Sequence, residues 1–195
     1  MFKKKSNVGI IANPHSGKDV RRIVSLASSF SNHEKLLILK RVVSGLVASK
    51  VDNVYLLKDA GTLGQSVLEE KDSFLENTEN TTLHLLDINA NGTTEDSIKS
   101  ANLMKKMKLD VIIALGGDGT SRAVSKGCGN IPLIPLSTGT NNVFPQNIEG
   151  TIAGLAAGFY AKDPEFYSSH VSRTKSFSLS FESGKKEKAL VDIAL

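Results

Sequence analysis

The sequence has few of the features that support a secreted or metal-binding protein. Its 195 residues contain one cysteine, Cys128, which excludes intrachain disulfides and favours an intracellular setting. We interpret Cys128 as a small residue packed between two glycines. The four histidines show no metal-ligand spacing, so a histidine-based metal site is not predicted, and the residues that would bind any metal stay unassigned.

The excess of positive over negative charge is also small. The formal net charge is only +4, and the lysines lie in short groups at 3–5, 105–108 and 185–188. Because no aromatic residues are interleaved with these groups, they are typical of a solvated surface rather than of a nucleic-acid-binding stripe. We therefore expect no nucleic-acid partner.

No apolar run is typical of a membrane segment. Three lysines follow Met1-Phe2 and lead directly into a strand pattern, without the apolar core of a secretory signal. The uncharged stretch 127–148 is long enough to span a membrane, but glycines, prolines and asparagines interrupt it throughout and disfavour a spanning helix. We expect a soluble cytoplasmic protein without a membrane partner.

Strand and helix patterns alternate along most of the chain, which predicts a parallel α/β domain with helices on both faces of the sheet. The predicted strands are 7–12, 53–57, 83–88, the apolar run after Asp110, and 131–136. The predicted helices are 19–29, 32–50, 63–71, 94–107 and 148–160, the last rich in alanine and glycine and packed closely on another element.

The pattern changes near residue 165. Residues 174–182 alternate polar and apolar side chains, a turn follows at 183–186, and 189–195 is predicted as a second strand. Since one hairpin cannot supply its own core, we expect residues 166–195 to begin a β-rich domain that is completed elsewhere. The expected domains are therefore 1–165 and 166–195.

The most informative stretch is Gly116-Gly117-Asp118-Gly119-Thr120, which follows a predicted buried strand. Glycines let the backbone turn sharply and approach a ligand, and a strand, a turn and a helix N-terminus together form an anion site. Because a bare carboxylate repels phosphate, Asp118 is expected to carry Mg²⁺, hold a ribose hydroxyl or take a proton from an attacking hydroxyl. The alternative is a tight turn in which Asp118 only caps the next helix.

Two more polar loops follow predicted strands. Loop 13–18 offers backbone N–H groups, the Ser16 hydroxyl and the Lys18 ammonium to a phosphate, or is a turn with a surface lysine. Loop 137–142 is crowded with hydroxyls and amides around Gly139, which suits a sugar or phosphate, or is a polar connection. Right-handed crossovers would bring all three loops to one edge of the sheet.

In their order, these loops resemble the three signature loops of the NAD kinase/diacylglycerol kinase superfamily. The residues that carry the resemblance are Asn13-Pro14, Ser16-Gly17-Lys18, Gly116-Gly117-Asp118-Gly119-Thr120, Gly139-Thr140, Asn142 and Phe144. Among the branches, stretches 119–128 and 135–145 look most like AcoX, an ATP-NAD-kinase-like branch associated with acetoin catabolism.

The resemblance implies a Rossmann-like domain followed by a β-sandwich domain that is truncated here. It implies transfer of a phosphoryl group from ATP, with Mg²⁺, to a hydroxyl of the NAD ribose, with Asp118 as the base. It also implies a nucleotide partner and a possible homo-oligomer. The residues expected at the nucleotide or acceptor are Asn13, Ser16, Gly17, Lys18, Gly116, Gly117, Gly119, Thr120, Thr138, Gly139, Thr140 and Asn142.

Three departures leave alternatives open. Ala123 stands where lipid kinases of the superfamily usually carry a glutamate, and no basic amphipathic segment faces a membrane, which disfavours a lipid kinase. The third loop is nevertheless closer to the lipid-kinase form, and the later Asn-Asp or Asn-Glu pair of NAD kinases is not found. A non-catalytic nucleotide-binding or regulatory protein linked to acetoin catabolism is therefore the alternative to a kinase.

Overall fold

A five-stranded parallel sheet forms the centre of the computed structural model, which describes residues 4–17, 30–76, 80–138 and 142–192. The strand order is β3-β2-β1-β4-β5, and every neighbouring pair is parallel. The strands are β1 (Asn7–Ala12), β2 (Asn53–Leu57), β3 (Thr82–Leu86), β4 (Val111–Gly116) and β5 (Leu133–Ser137). The predicted α/β class is confirmed.

The two central strands are the ones with unbroken apolar runs. All six residues of β4 are buried, and its neighbour β1 is buried from Val8 onward. Residues that alternate along these strands contribute to opposite faces, so Ile113 lies in one core cluster and Ile112 in the other. Such strands, apolar on both faces, are typical of sheets covered by helices on both sides.

Helices cover both faces of the sheet. The helices are α1 (Asn32–Ala48), α2 (Leu63–Glu69), α3 (Thr94–Lys106), α4 (Asp118–Gly127) and α5 (Gly150–Lys162), with short 3₁₀ turns at Lys71–Ser73 and Phe166–His170. Helices α1, α2 and α5 contribute to one core cluster, and α3 and α4 to the other. The helix predicted over 19–29 lies outside the described residues. Within the described ranges, no helix is both long and apolar enough to cross a bilayer.

The C-terminal hairpin pairs differently from the prediction. Its strands are β6 (Phe177–Ser180) and β7 (Lys186–Ala189), so the second strand begins three residues before the one expected over 189–195. Residues 190–192 do not continue the strand, and 193–195 lie outside the described residues. The reason is a tighter turn: Phe181 and Lys185 close it by an N–H to carbonyl bond of 2.9 Å, and Gly184 takes a positive φ of 79°. Pairing therefore starts directly after the turn, before the apolar run that suggested the later strand.

The hairpin packs on α4 through polar contacts. Lys126 Nζ lies 2.5 Å from Glu187 Oε2, and Arg122 Nη1 lies 3.7 Å from the same oxygen. Lys188 Nζ donates to the Ser125 carbonyl at 3.2 Å. These contacts join the hairpin to the helix that begins at Asp118. The domain boundary at 165 remains a prediction.

Docking of the hairpin on α4 is expected to weaken in acid. The hydrogen bond and positive charge of Lys126 hold the pKa of the Glu187 carboxyl below its ordinary value of 4.5. Because this folded-state pKa is lowered, the stabilisation is fully present above about pH 4.5 and is lost as pH falls through the folded-state pKa. Amide exchange should show β7 loosened in Glu187→Gln at neutral pH, with the wild-type protein approaching the variant in acid.

The exposed Glu182 in the hairpin turn offers a matched control, since Glu182→Gln removes the same charge without removing the contact to Lys126. That variant should exchange like the wild-type protein at every pH. An exchange difference between wild type and Glu187→Gln that stays constant in acid would contradict the ion-pair explanation.

Candidate functional site

The three polar loops meet at the edge of the sheet where the parallel strands end. The first loop (13–18) follows β1, the central loop (116–120) contains the end of β4, and the third loop (137–142) follows β5. The strand order reverses between β1 and β4, which is where open α/β sheets form a crevice for ligands. A cleft of about 200 Å³ lies at this edge.

The first loop is attached to the central loop by Asn13. The Asn13 N–H donates to the Leu115 carbonyl at 3.0 Å, and its Nδ2 donates to Thr120 Oγ1 at 2.9 Å. The Ser16 hydroxyl folds back onto the Asn13 carbonyl at 2.8 Å. Gly17 has a positive φ of 76°, a conformation that glycine adopts without strain. Lys18 lies outside the described residues.

The central loop turns into α4 through glycines that serve different purposes. A Cβ on Gly116 would collide with the Thr120 side chain, so the end of β4 and the first turn of α4 approach closely only because Gly116 has no side chain. Gly117 is the N-cap residue of α4. Gly119 faces open space, with no atom within 4 Å of the position of an added Cβ. This arrangement leaves the cleft side of the loop uncovered.

Asp118 binds the backbone beyond the third loop. Its Oδ1 and Oδ2 each accept the Val143 N–H at 3.1 Å, and Oδ1 also accepts the Phe144 N–H at 2.8 Å. The carboxylate makes no capping bond within α4, so the alternative in which Asp118 only caps that helix is wrong. Asp118 lies beside the cleft and does not form part of its lining.

The third loop is attached to both other loops. Thr138, which is 1% exposed, donates its hydroxyl to Ser16 Oγ at 2.9 Å, and its N–H donates to the Gly116 carbonyl at 3.2 Å. Asn142 donates from Nδ2 to Ser137 Oγ at 2.8 Å. These bonds connect the described parts of the three loops before any ligand is bound. Gly139 and Thr140 lie outside the described residues.

Most of the predicted site residues lie together at the cleft. Its lining includes Asn13, Ser16, Gly17, Gly117, Gly119, Thr120, Thr138 and Asn142. Gly116 lies behind it, beneath Thr120. The described lining carries hydroxyl and amide groups and no charged side chain. Such a surface is suited to hydrogen-bonding a sugar or a phosphate group.

Three lining residues were missed by the sequence analysis: Thr94 and Ser97 on α3, and Ala123 on α4. Thr94 and Ser97 are three positions apart, so they lie on the same face of the helix. The available signal was the group of hydroxyl residues at the start of a helix that follows β3. In the sequence analysis, that group was assigned no role at the site. The N-cap residue is Thr93, and Asp96 takes part in the capping box, since its Oδ2 accepts the Thr93 N–H at 3.0 Å.

Lys35 was also missed, because a lysine in the first turn of a helix is ordinarily exposed. Here its side chain is fully buried, and its Nζ donates to the Pro14 carbonyl at 2.8 Å. The ammonium therefore supports the first loop from below, on the side of α1. This places a positive charge close to a loop predicted to contact phosphate.

The described residues contain no group of three or more His, Cys, Asp or Glu side chains placed to hold a metal ion.

Cys128 is buried as expected, and this burial raises the pKa of its thiol. A thiol with a raised pKa is a poor nucleophile at neutral pH, which agrees with a packing role.

Comparison with known proteins shows which family the chain belongs to. The family model of the ATP-NAD kinase N-terminal domain matches residues 8–163. Acetoin catabolism protein X of Cupriavidus necator is 37% identical to the chain over 160 residues, in a match that covers 79% of this chain and 43% of that protein. The chain therefore spans less than half the length of this relative. The predicted resemblance, including its acetoin-catabolism branch, is confirmed.

Proposed function

The chain belongs to the ATP-NAD kinase family, and we propose that its cleft binds ATP and that the protein transfers a phosphoryl group from ATP to a hydroxyl of the NAD ribose. The observation that carries the proposal is the meeting of the three loops around one polar cleft at the reversal of strand order. Similarity to acetoin catabolism protein X gives this activity a setting in acetoin catabolism.

The proposed contacts follow from the chemistry of the loops. Ser16 and Gly17 face the phosphates with a hydroxyl and backbone N–H groups, together with Lys18. Thr138 and Asn142 hydrogen-bond the sugar or phosphate, together with Gly139 and Thr140. Asp118 takes the proton of the attacking hydroxyl while the hydroxyl oxygen forms a bond to the γ-phosphorus of ATP and ADP leaves.

The size and composition of the cleft agree with part of a nucleotide. Ligand pockets commonly measure about 300–1,000 Å³, so a cleft of about 200 Å³ accommodates a phosphate–ribose portion rather than the whole of ATP. Mg²⁺ usually binds through one or two carboxylates plus substrate phosphates, and the Asp118 carboxylate beside the cleft could be such a ligand. Mg²⁺ would then arrive with ATP and neutralise phosphate charge.

Calorimetric titration of the 195-residue chain with ATP and with NAD, each with and without Mg²⁺, tests the proposal. We expect saturable binding of both, with ATP binding strengthened by Mg²⁺. Ser16→Ala should weaken ATP binding, whereas Ser73→Ala, an exposed serine in a 3₁₀ turn far along the chain, should not. Absence of ATP binding would contradict the proposal, and binding of ATP without NAD would remove NAD as the acceptor.

One observation favours a second candidate, a nucleotide-binding or regulatory protein without transferase activity. The Asp118 carboxylate, the proposed base, is held by the N–H groups of Val143 and Phe144. In this candidate its function is to shape the site. The protein would then bind ATP with the same loops but form no NADP, even in a longer form that contains further sequence. An assay of NADP formation therefore separates the two candidates.

A further inference from the structure

The contact between Asp118 and residues 143–144 links the central loop to the chain that leaves the third loop. The carboxylate accepts the Phe144 N–H at 2.8 Å and the Val143 N–H at 3.1 Å. Hydrogen bonds to an ionised acceptor are about twice as strong as neutral ones. The bonds also cross 25 residues of sequence, so they act as a tertiary clamp.

Among the described residues, the near end of the segment 142–146 is also held by Asn142, whose Nδ2 donates to Ser137 Oγ at 2.8 Å. Its far end is anchored on β5, where the Gln146 N–H donates to the Pro135 carbonyl at 3.0 Å and the Ser137 N–H donates to the Gln146 carbonyl at 2.8 Å. At the near end, the Val143 side chain is 73% exposed and contributes little packing. The position of Asn142, which lines the cleft, therefore depends on the clamp together with the bond to Ser137.

We propose that Asp118 is a positioning residue for the third loop: its carboxylate clamps residues 143–144 and thereby holds Asn142 at the cleft. The inference rests on the proposed function where it concerns nucleotide binding. The clamp keeps Asn142 against Gly117, where its Oδ1 lies 3.0 Å from the position of an added Cβ. Loss of the clamp leaves Asn142 with its bond to Ser137 and without the support of its C-terminal neighbours, so its position at the cleft loosens.

Clamping and proton transfer are compatible at one carboxylate. A carboxylate offers about four lone-pair positions. Oδ1 uses two, for Val143 and Phe144, and Oδ2 uses one, for Val143. The remaining position on Oδ2 can accept the proton of a hydroxyl. Asp118 can therefore hold the loop and serve as the base in the same state of the protein.

Amide exchange measured by NMR on the 195-residue chain tests the clamp directly. In Asp118→Ala, exchange of the Val143 and Phe144 amides should accelerate by about tenfold or more, while the Gln146 amide stays unchanged and reports that the fold is intact. Asp118→Asn keeps one oxygen acceptor and should give intermediate rates. Asp87→Asn, which removes an exposed carboxylate at the same edge of the sheet, should leave all three amides unchanged.

The ATP affinity of the Asp118 variants distinguishes a positioning role of Asp118 from a role as the base alone. ATP affinity should be highest in the wild-type protein, lower in Asp118→Asn and lowest in Asp118→Ala, with a total loss of about tenfold. The loss is expected because the loop is displaced before any chemistry occurs. Amides that stay protected in Asp118→Ala would overturn the clamp, and unchanged ATP affinity despite lost protection would overturn its role in the site. If the wild-type chain does not bind ATP, the proposed function fails, and amide exchange still decides the clamp.

Discussion

Asp118→Asn is expected to reduce the kcat of the proposed phosphoryl transfer to NAD by about 10²–10⁴-fold, the usual contribution of a positioned general base. The amide has nearly the shape of the carboxylate and retains one oxygen for the Phe144 N–H, but it cannot take the hydroxyl proton. The loss of kcat should therefore far exceed the loss of ATP affinity caused by the weaker clamp. NADP formation, measured in a form of the protein that shows transfer, provides the rate.

The control for this prediction is Asp87→Asn. Asp87 follows β3 at the same edge of the sheet and pairs with Lys58 at 3.0 Å, outside the cleft. Its substitution changes the net charge by the same amount and should leave kcat within about twofold, since surface ion pairs contribute little. A kcat for Asp118→Asn that matches the kcat of Asp87→Asn would exclude Asp118 as the base and would mean that another group takes the hydroxyl proton.

The second large effect is expected at the contact between α1 and α5. Gly154 of α5 packs directly on the backbone of α1: a Cβ added at this position would collide with the Val42 carbonyl oxygen and lie 3.1 Å from the Gly45 Cα. Backbone atoms cannot rotate away, so the two helices must separate. We expect Gly154→Ala to lower the free energy of unfolding by about 1–3 kcal/mol, the usual effect of overpacking.

The matched variant is Gly119→Ala, which adds the same methyl group to another helical glycine. No atom lies within 4 Å of its added Cβ, so the substitution should be neutral or stabilise the protein by up to about 1 kcal/mol. Urea unfolding of both variants measures the difference. Equal stability of Gly154→Ala and the wild-type protein would show that α1 and α5 are not in backbone contact.

Elements with strong local patterns were predicted correctly. The strand 7–12 and the helix start at Asn32 agree with the structure, because an unbroken apolar run and helical apolar spacing are local signals. Local signals were weaker at the hairpin, where the second strand was placed three residues too late. There the turn geometry at Gly184 decided the pairing, and the apolar run did not.

The sequence by itself determined the α/β class, the family and the edge of the sheet at which the ligand loops meet. Each follows from periodicity, from motifs or from the handedness of crossovers, which are properties of short stretches of chain. Only the tertiary structure decided that Asp118 clamps residues 143–144, that Lys35 lies buried beneath the first loop, and that α3 contributes to the cleft. These contacts join residues far apart in sequence, and their geometry depends on how helices pack on the sheet, which no local pattern encodes.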